Sequence, residues 1–420
     1  MKFNKWTLGL AAVGAVSMAS AVRADEAKLS QVQTALSNTT ISGYVSASAN
    51  WSASPSGGDT SIAGNIPLQS GKANGFNLDV VKVSIAKPQD ESPWASGYQV
   101  DLLFGPDAVG WNPSANSTGG QNAGGTSSDF AIAQAFIALR TPVGNGIDWK
   151  IGVFNTIIGY ESFDAGSNPN YTRSWGWAVE PTEHTGVLGS YKINDEWSFS
   201  AGVANTLAAG INTRNNYNAS ADNNQSAWNK TLMGSVTFSA PSNWGWASGS
   251  AFYAGMVYGF AGGTQGTGFV HGDQGGNQQN YYAGATLNSP WKDVTFGAAF
   301  DCVQNLAGTS IGGYHADDYI FGLYNTIKAT DKLSFNTRGE FWEVDAKGGV
   351  SPKTGSDEGI SLTETIEYDL WANVVSRLEV RYDKVIESDY ASDIGYVLPT
   401  GVSVDNPSSY GVYANLIYKF

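Results

Sequence analysis

The chain has 420 residues, of which 14% are charged, 12% are aromatic and 51 are glycine. A composition rich in glycine and aromatic residues and poor in charge favours β structure over long helices or disorder. The formal net charge of −14 argues against nucleic-acid binding, and the single cysteine, Cys302, excludes an internal disulfide.

The first residues of the chain have the pattern of an export signal. Lys2 and Lys5 precede an apolar run that starts at Trp6 and ends in small residues. This pattern predicts a secretory signal peptide within residues 1–24, with cleavage after Ala21 or after Ala24. No later apolar run approaches the roughly 18 residues that a transmembrane helix requires.

Apolar and polar residues alternate with a period of two along most of the remaining chain, which is typical of strands with one face against a nonpolar medium. Leu378, Val380 and Tyr382, for example, alternate with Arg377 and Arg381. The pattern predicts strands near residues 39–51, 76–87, 96–104, 129–140, 147–154, 184–193, 196–205, 228–240, 247–260, 279–288, 292–303, 317–329, 332–345, 359–370, 373–385 and 409–420. A soluble sandwich would show the same alternation, so alternation alone does not choose between a sandwich and a membrane barrel.

The connections between these strands alternate between short and long. The long ones are residues 52–75, 105–128, 155–183, 206–227, 261–278, 304–316, 346–358 and 386–408. Short periplasmic turns at one rim and long external loops at the other are typical of outer-membrane barrels, and a sandwich has no reason to sort its loops. We therefore predict an all-β chain: a transmembrane antiparallel β-barrel of about 16 strands over residues 39–420, preceded by a short periplasmic segment, residues 25–38.

Tryptophans support this orientation because they fall in or beside the short turns, where an aromatic girdle meets the membrane interface. They are Trp94, Trp149, Trp197, Trp244, Trp246, Trp291 and Trp371.

The connection at residues 155–183 is too long and too aromatic for an ordinary hairpin loop, and such loops usually have a function. We predict that it folds inward and narrows the pore; an ordinary surface loop is the alternative. Its acidic candidates for the constriction are Glu161, Asp164, Glu180 and Glu183. Its aromatic candidates for stacking against a solute are Tyr160, Tyr171, Trp175 and Trp177.

Basic residues on the polar strand faces are candidates for the pore wall, where water makes charge tolerable. They are Arg140, Lys150, Arg338, Arg377 and Arg381. Two interpretations stay open. The basic residues pair with neighbouring carboxylates such as Glu340 and Glu379, or some of them face the acidic loop and create a transverse field.

The chain ends in a strand with a continuous apolar face that finishes on an aromatic residue. The residues of that face are Val412, Ala414, Leu416, Tyr418 and Phe420. This ending resembles the C-terminal signal by which the outer-membrane assembly machinery recognises barrel proteins.

Taken together, the opening ISGYVSASANW, the long third loop and the aromatic ending resemble the β-barrel porin family described as OmpL-like. The most recognisable segments are residues 158–161, 168–174 and 184–187. The resemblance covers most of the mature chain and implies an outer-membrane pore for small solutes, without naming a substrate. The position of the long loop after the fifth strand is also similar to that of the constriction loop in general porins.

Catalytic and metal sites have weak support in the sequence. None of His184, His271 and His315 lies in a helical zinc motif, and no serine is singled out beside them. Asp317 and Asp318 beside His315 could hold a divalent ion, but a solvated loop end is the favoured explanation. We therefore predict no enzyme activity, no cofactor and no metal.

The sequence predicts a passive diffusion porin in the cell outer membrane, open to small hydrophilic solutes and ions, with a modest cation preference. Analogy with the family predicts that the protein assembles as a homotrimer and contacts the lipids of the outer membrane. Two other functions stay open: a substrate-selective channel, for saccharides for example, and a secreted carbohydrate-binding β protein.

Overall fold

The computed structural model describes residues 32–33, 38–53, 66–69, 72, 74–111, 130–207, 211, 230–260, 277–307, 315–347, 355–388 and 408–420. The predicted signal peptide, residues 1–24, lies outside these ranges. Of the predicted periplasmic segment, residues 32–33 form a two-residue strand, Val32–Gln33, that pairs with Ile41 and Thr40.

The described chain is almost entirely β. The barrel strands are β1 Thr40–Ala53, β2 Gly75–Lys87, β3 Ser96–Phe104, β4 Phe130–Thr141, β5 Ile147–Asn155, β6 Glu183–Lys192, β7 Trp197–Ala204, β8 Thr231–Ser239, β9 Ala251–Phe260, β10 Asn277–Asn288, β11 Val294–Ala307, β12 His315–Lys328, β13 Leu333–Lys347, β14 Gly355–Trp371, β15 Val374–Ser388 and β16 Ser408–Lys419. Two short helices lie in the connections, α1 Pro106–Trp111 and α2 Trp175–Val179. No predicted strand boundary is wrong by more than four residues.

The strands form one closed antiparallel barrel. The sheet has 17 strands, and without the two-residue strand Val32–Gln33 the other 16 form a ring. Each strand pairs with its neighbours in sequence, and β16 returns to β1 with Tyr410 opposite Ala53 and Lys419 opposite Tyr44. Closure satisfies the backbone of every strand without leaving a free edge, as a membrane-spanning sheet requires. This confirms the predicted fold.

The barrel is apolar outside and polar inside. In β14, Leu362 is 55% exposed and Ile366 is 40% exposed, whereas the alternating Ser361, Thr363 and Thr365 are buried. A soluble sandwich would bury the apolar set and expose the polar set. This arrangement excludes the sandwich and the secreted carbohydrate-binding protein, since neither would expose so many large apolar side chains to water.

Short and long connections alternate as predicted. Trp94, Trp244, Trp246, Trp291 and Trp371 are all exposed in or beside the short turns, at the level of an interfacial girdle. The short connection 240–250 is built on the 3-10 helix Ser242–Ala247. Within the described ranges, no helix has the length and apolar character needed to cross a membrane.

The buried apolar core lies inside the barrel, between the inner wall and the third long connection. Ile157 and Ile158 of that connection share a buried cluster with wall residues such as Leu188, and Phe163 shares a second with Val80. Burial of an apolar side chain of this size contributes roughly 1.5–3 kcal/mol. Apolar burial therefore favours a connection that is folded inward.

Candidate functional site in the barrel lumen

The third long connection, residues 156–182, joins β5 to β6. Asn155 of β5 and Glu183 of β6 form the last pair of the ladder before it. We call it the third loop. It turns at Gly159, whose φ of +114° is unfavourable for residues with a side chain, and an added Cβ would collide with the Glu180 carboxylate. The loop then forms α2, and the N-cap Ser174 accepts a hydrogen bond from the backbone N–H of Trp177 at 3.0 Å.

Arg338 of β13 holds the middle of the third loop. Its guanidinium forms ion pairs with Glu161 of the loop at 2.8 Å and with Glu340 of its own strand at 2.9 Å. It also donates to the carbonyl oxygen of Thr172 at 2.7 Å. Arg338 has no exposed surface, so the two carboxylates offset the cost of removing its charge from water.

Two arginines of β15 bind loop carbonyl groups on the same side of the lumen. Arg381 donates to the carbonyl oxygen of Arg173 at 2.6 Å. Arg377 donates to the carbonyl oxygens of Ala165 at 2.7 Å and Asn168 at 2.6 Å. These contacts satisfy loop carbonyl groups that a surface loop would present to water.

Wall carboxylates accept hydrogen bonds from the backbone N–H groups of the same loop. Glu379 of β15 accepts from Tyr171 at 2.6 Å and from Thr172 at 2.9 Å, and Glu340 accepts from Trp175 at 2.6 Å. From the sequence, Glu340 and Glu379 were expected only as partners for arginines. Alternation placed them on the inner face, but no local signal indicates a partner about 200 residues away in the chain.

The third loop reaches opposite sides of the lumen. The Tyr171 hydroxyl donates to Asp79 of β2 at 2.9 Å and lies 2.9 Å from the Ser48 hydroxyl of β1. Asn280 of β10 donates to the carbonyl oxygen of Val179 at 2.9 Å. Strands β2 and β10 are eight positions apart in a ring of 16, so the loop spans the lumen along a diameter.

The predicted acidic residues do not share one environment. Glu161 is 3% exposed and is bound by Arg338, so a passing solute has almost no access to its carboxylate. The side chain of Asp164 is 38% exposed and accepts a hydrogen bond from Lys82 of β2 at 2.6 Å. Among these acidic residues, Asp164 therefore presents an accessible charge to the lumen.

Glu180 and Glu183 differ from the prediction. Burial, and then the charge of Asp301 on β11, raise the pKa of Glu180 well above its ordinary value, and the two carboxyl groups share a hydrogen bond. Glu183 is wrongly assigned to the loop, because it pairs with Asn155 as the first residue of β6 and is fully buried.

The basic residues predicted for the wall divide into two groups. Arg338, Arg377 and Arg381 contact the third loop. Arg140 does not, because it pairs with Asp148 at 2.7 Å beside the short turn after β4. The Lys150 ammonium lies 4.9 Å from the ring centroid of Phe136, and no carboxylate of the described residues lies within 4.0 Å of it.

The arginines that contact the loop also pair with carboxylates of the wall, so both interpretations left open by the sequence apply to them. Arg381 forms two hydrogen bonds with Asp383, at 2.8 and 2.9 Å, and Arg377 pairs with Glu367 at 2.9 Å. All four side chains are at most 5% exposed. A transverse field from these arginines stays a prediction, and paired, buried charges contribute little field to a lumen.

Of the predicted stacking aromatics, Tyr171 and Trp175 are buried at 6% and 3% exposure. Tyr160 stacks on Tyr324 of β12 with ring centroids 4.1 Å apart, and Trp177 is partly buried. Most of this aromatic surface is occupied by protein. Only Tyr160 and Trp177 retain area that a solute could touch.

Inward-facing glycines of the wall make room for the third loop. A Cβ at Gly297 of β11 would overlap the Tyr160 hydroxyl, and a Cβ at Gly255 of β9 would lie 2.7 Å from a methyl group of Ile158. Neither glycine was predicted as part of the site. Alternation places them on the inner faces of their strands, but nothing in the sequence identifies the side chain that fills the space.

The C-terminal residues face outward. Val412, Leu416 and Tyr418 are 38%, 46% and 49% exposed, and Ala414 lies on the same face of β16. Phe420 exchanges two backbone hydrogen bonds with Gly43, each of 2.9 Å, so the chain end is part of the barrel seam. Recognition of this face by the assembly machinery stays a prediction.

Metal binding gains no support from the described residues, among which no group of three or more His, Cys, Asp or Glu side chains is arranged to hold an ion. His315, Asp317 and Asp318 all lie in β12, and Asp318 is 4% exposed.

A closed barrel with a lipid-facing apolar surface, a polar lumen and a loop across that lumen defines an outer-membrane channel protein. Residues 38–420 match the family described as "Putative beta-barrel porin-2, OmpL-like", so the chain belongs to this porin family. It is a multi-pass β-barrel of the outer membrane. No curated protein matches the sequence.

Several solved structures share this fold at low sequence identity. The outer membrane channel DcaP of Acinetobacter baumannii is 11% identical with a TM-score of 0.56, covering 93% of this chain and 100% of its own. OmpF of Salmonella typhi, in complex with daunomycin, is 12% identical with a TM-score of 0.54, covering 91% and 98%. The trimer form of OmpT from Vibrio cholerae is 12% identical with a TM-score of 0.52, covering 91% and 99%.

Proposed function

We propose that this porin is a passive diffusion channel for small hydrophilic solutes and ions, and that the third loop sets its size limit. The observation that carries the proposal is the path of the loop from Asp79 of β2 to Asn280 of β10, across a diameter of the barrel. A barrel of this size leaves an aqueous channel, and a loop across it reduces the open cross-section.

The pore is expected to prefer cations modestly. Arg338 and Arg381 are buried with carboxylate partners, whereas the Asp164 side chain is 38% exposed. An exposed carboxylate in a narrow lumen raises the local concentration of cations. Glu161 is not expected to contribute, because its carboxylate is buried as well as paired with Arg338.

A saccharide-selective channel is the second candidate. Stacking against a sugar needs free aromatic faces, and the burial of Tyr171 and Trp175 leaves only Tyr160 and Trp177 partly accessible. This favours the general pore. We propose no catalytic role: His184 is 1% exposed, and its Nε2 lies 3.1 Å from the Thr156 hydroxyl within the wall.

Assembly as a homotrimer is part of the proposal and is supported by the likeness in fold to the trimer form of OmpT from Vibrio cholerae. The outward apolar face of Leu416 and Tyr418 suits recognition by the outer-membrane assembly machinery and contact with lipids.

The test is a comparison of the native pore with a variant in which residues 162–179 are replaced by a short Gly-Ser linker. Planar bilayers give single-channel conductance, and liposome swelling with sugars of increasing size gives the solute limit. The shortened variant should conduct more and admit larger sugars. Different migration of unheated and boiled samples in a denaturing gel verifies that the barrel is assembled.

Unchanged conductance and an unchanged solute limit in an assembled barrel would place the third loop outside the permeation path. Block of the native current by one sugar of the series would favour the selective channel.

A further inference from the structure

A second segment lies inside the lumen, and the site described above does not include it. The described part of the first long connection comprises residues 66–69 and Lys72, which we call the first-loop segment. Ile66 and Leu68 are 3% and 8% exposed, and the Lys72 side chain is 2% exposed. Residues of an external loop above the rim would not be buried to this extent.

Ile66 places the segment over the third loop. It belongs to one buried cluster with Trp175 of α2, Trp342 of β13 and Val385 of β15. The first long connection follows β1. In the ring of strands, β16 lies between β1 and β15. The segment therefore extends from its own strands across several others to the part of the wall that holds α2.

Lys72 links four parts of the molecule. Its ammonium lies 2.7 Å from a carboxylate oxygen of Asp107 in α1 and 3.3 Å from one of Asp79 in β2. It also lies 3.5 Å from the Tyr171 hydroxyl and 5.4 Å from the centre of that ring, in the third loop. A buried lysine between two carboxylates is held firmly, since removal of either charge leaves the other uncompensated.

The backbone of the segment is also constrained. Leu68 has a φ of 61°, a conformation that L residues other than Gly, Asn and Asp rarely adopt. Its side chain belongs to the buried cluster that contains Tyr44 and Phe163. Gln69 accepts a hydrogen bond from Asn50 of β1 at 3.2 Å. A conformation of this kind persists where surrounding contacts determine it, and such positions are concentrated at functional sites.

We propose that the first-loop segment is a second constriction element, fixed over the third loop by Lys72, so that two loops set the aperture. The inference rests on the proposed function as a diffusion pore. The ammonium of Lys72 acts as a positioning group: it fixes the segment to α1, to β2 and to the third loop, and the apolar side chains of Ile66 and Leu68 then occupy lumen volume.

The test replaces the lysine by an uncharged side chain of similar length. Lys72→Met is compared with Lys192→Met, the same substitution in an exposed pair with Asp195 at the short-turn rim. We expect Lys72→Met to raise single-channel conductance roughly twofold and to admit larger sugars, because the segment leaves the lumen. Lys192→Met should conduct like the native pore.

Cysteine labelling reports the position of the segment independently of current. In a Cys302→Ser background, Gln69→Cys is exposed to a membrane-impermeant thiol reagent from the external side. Labelling should be slow with Lys72 present and about tenfold faster or more with Lys72→Met, as expected when a local opening becomes populated. If Lys72→Met fails to assemble, Ile66→Ala removes the apolar anchor without uncovering a charge, and the same increases in conductance and labelling are expected.

Conductance that stays at the native value in an assembled variant would overturn the inference, whether or not labelling becomes faster. Replacement of residues 162–179 separates this failure from a failure of the proposed function. If that replacement raises conductance and Lys72→Met does not, the third loop alone sets the aperture. If neither changes conductance, the proposed function fails as well.

Discussion

Replacement of Arg338 by methionine should release the third loop while leaving the barrel closed. The substitution removes the ion pairs with Glu161 and Glu340 and the hydrogen bond to the Thr172 carbonyl, and both carboxylates lose their buried partner. Two charges about 4 Å apart at an effective dielectric constant near 20 attract by about 4 kcal/mol. Breaking a buried pair by removing one partner typically costs about 3–5 kcal/mol.

That cost acts on the docking equilibrium of the loop, because the strand ladders do not depend on the guanidinium. Since about 1.4 kcal/mol corresponds to a factor of 10, docking should weaken by roughly 150-fold to 4,000-fold. The expected result in planar bilayers is a larger and noisier single-channel current. A double-mutant cycle with Glu161→Gln should give a coupling energy of several tenths to about 3 kcal/mol, since each substitution removes the same contact.

Arg140→Met is the matched control, because Arg140 forms a buried pair with Asp148 at 2.7 Å beside a short turn and does not contact the loop. It should reduce the resistance of the barrel to unfolding without changing its conductance. If Arg338→Met and Arg140→Met give the same quiet, native-like current in assembled barrels, the ion pairs of Arg338 do not hold the loop in the permeation path.

Further predictions concern charge, packing and pH. Asp164→Asn should lower the cation preference, measured as a reversal potential across a salt gradient. The difference in potential between the native pore and the variant should shrink at high salt, because exposed charges are screened. An unchanged potential would show that this carboxylate is not in the ion path. Gly297→Val should displace Tyr160, since a Cβ at this position overlaps the hydroxyl, and should raise conductance in an assembled barrel. Burial beside Asp301 raises the pKa of Glu180, so this end of the loop binds a proton more tightly when docked than when free. The contribution of this carboxyl group to docking is complete below the ordinary pKa of 4.5 and is lost as the pH rises through the raised pKa. Current noise should therefore increase with pH. Asp301→Asn should reduce that increase without removing it, because burial, the larger cause of the raised pKa, remains.

The barrel could be predicted because one physical constraint acts on every strand. Lipid outside and water inside impose a period of two, and β14 shows it through exposed Leu362 and Ile366 beside buried Thr363 and Thr365. The constraint weakens at the rims, which is why the predicted start of β9 at residue 247 differs from the observed Ala251. There the 3-10 helix Ser242–Ala247 occupies the turn, and its apolar tryptophans resemble strand residues.

The contacts of the lumen could not be predicted in the same way. Alternation identifies the inner face of a strand but gives neither the depth of a residue nor its partner. Glu379 accepts from Tyr171 across a sequence separation of 208 residues, and Lys72 lies in a polar stretch that resembles any external loop. Glu183 was assigned to the loop because the sequence does not show where pairing between β5 and β6 ends.

The buried pairs change how charge in this pore has to be tested. Arg338, Arg377 and Arg381 each donate to a carbonyl group of the third loop, so a neutral substitution at any of them removes a loop contact together with a charge. A changed ion preference in such a variant would report the new position of the loop as much as the lost charge. Asp164 is the better reporter, because its side chain is 38% exposed, its ion pair with Lys82 is partly solvated, and an asparagine can still accept the hydrogen bond. Selectivity that responds to Asp164→Asn while conductance stays constant would therefore assign the ion preference to the open lumen and leave the arginines as anchors of the loop.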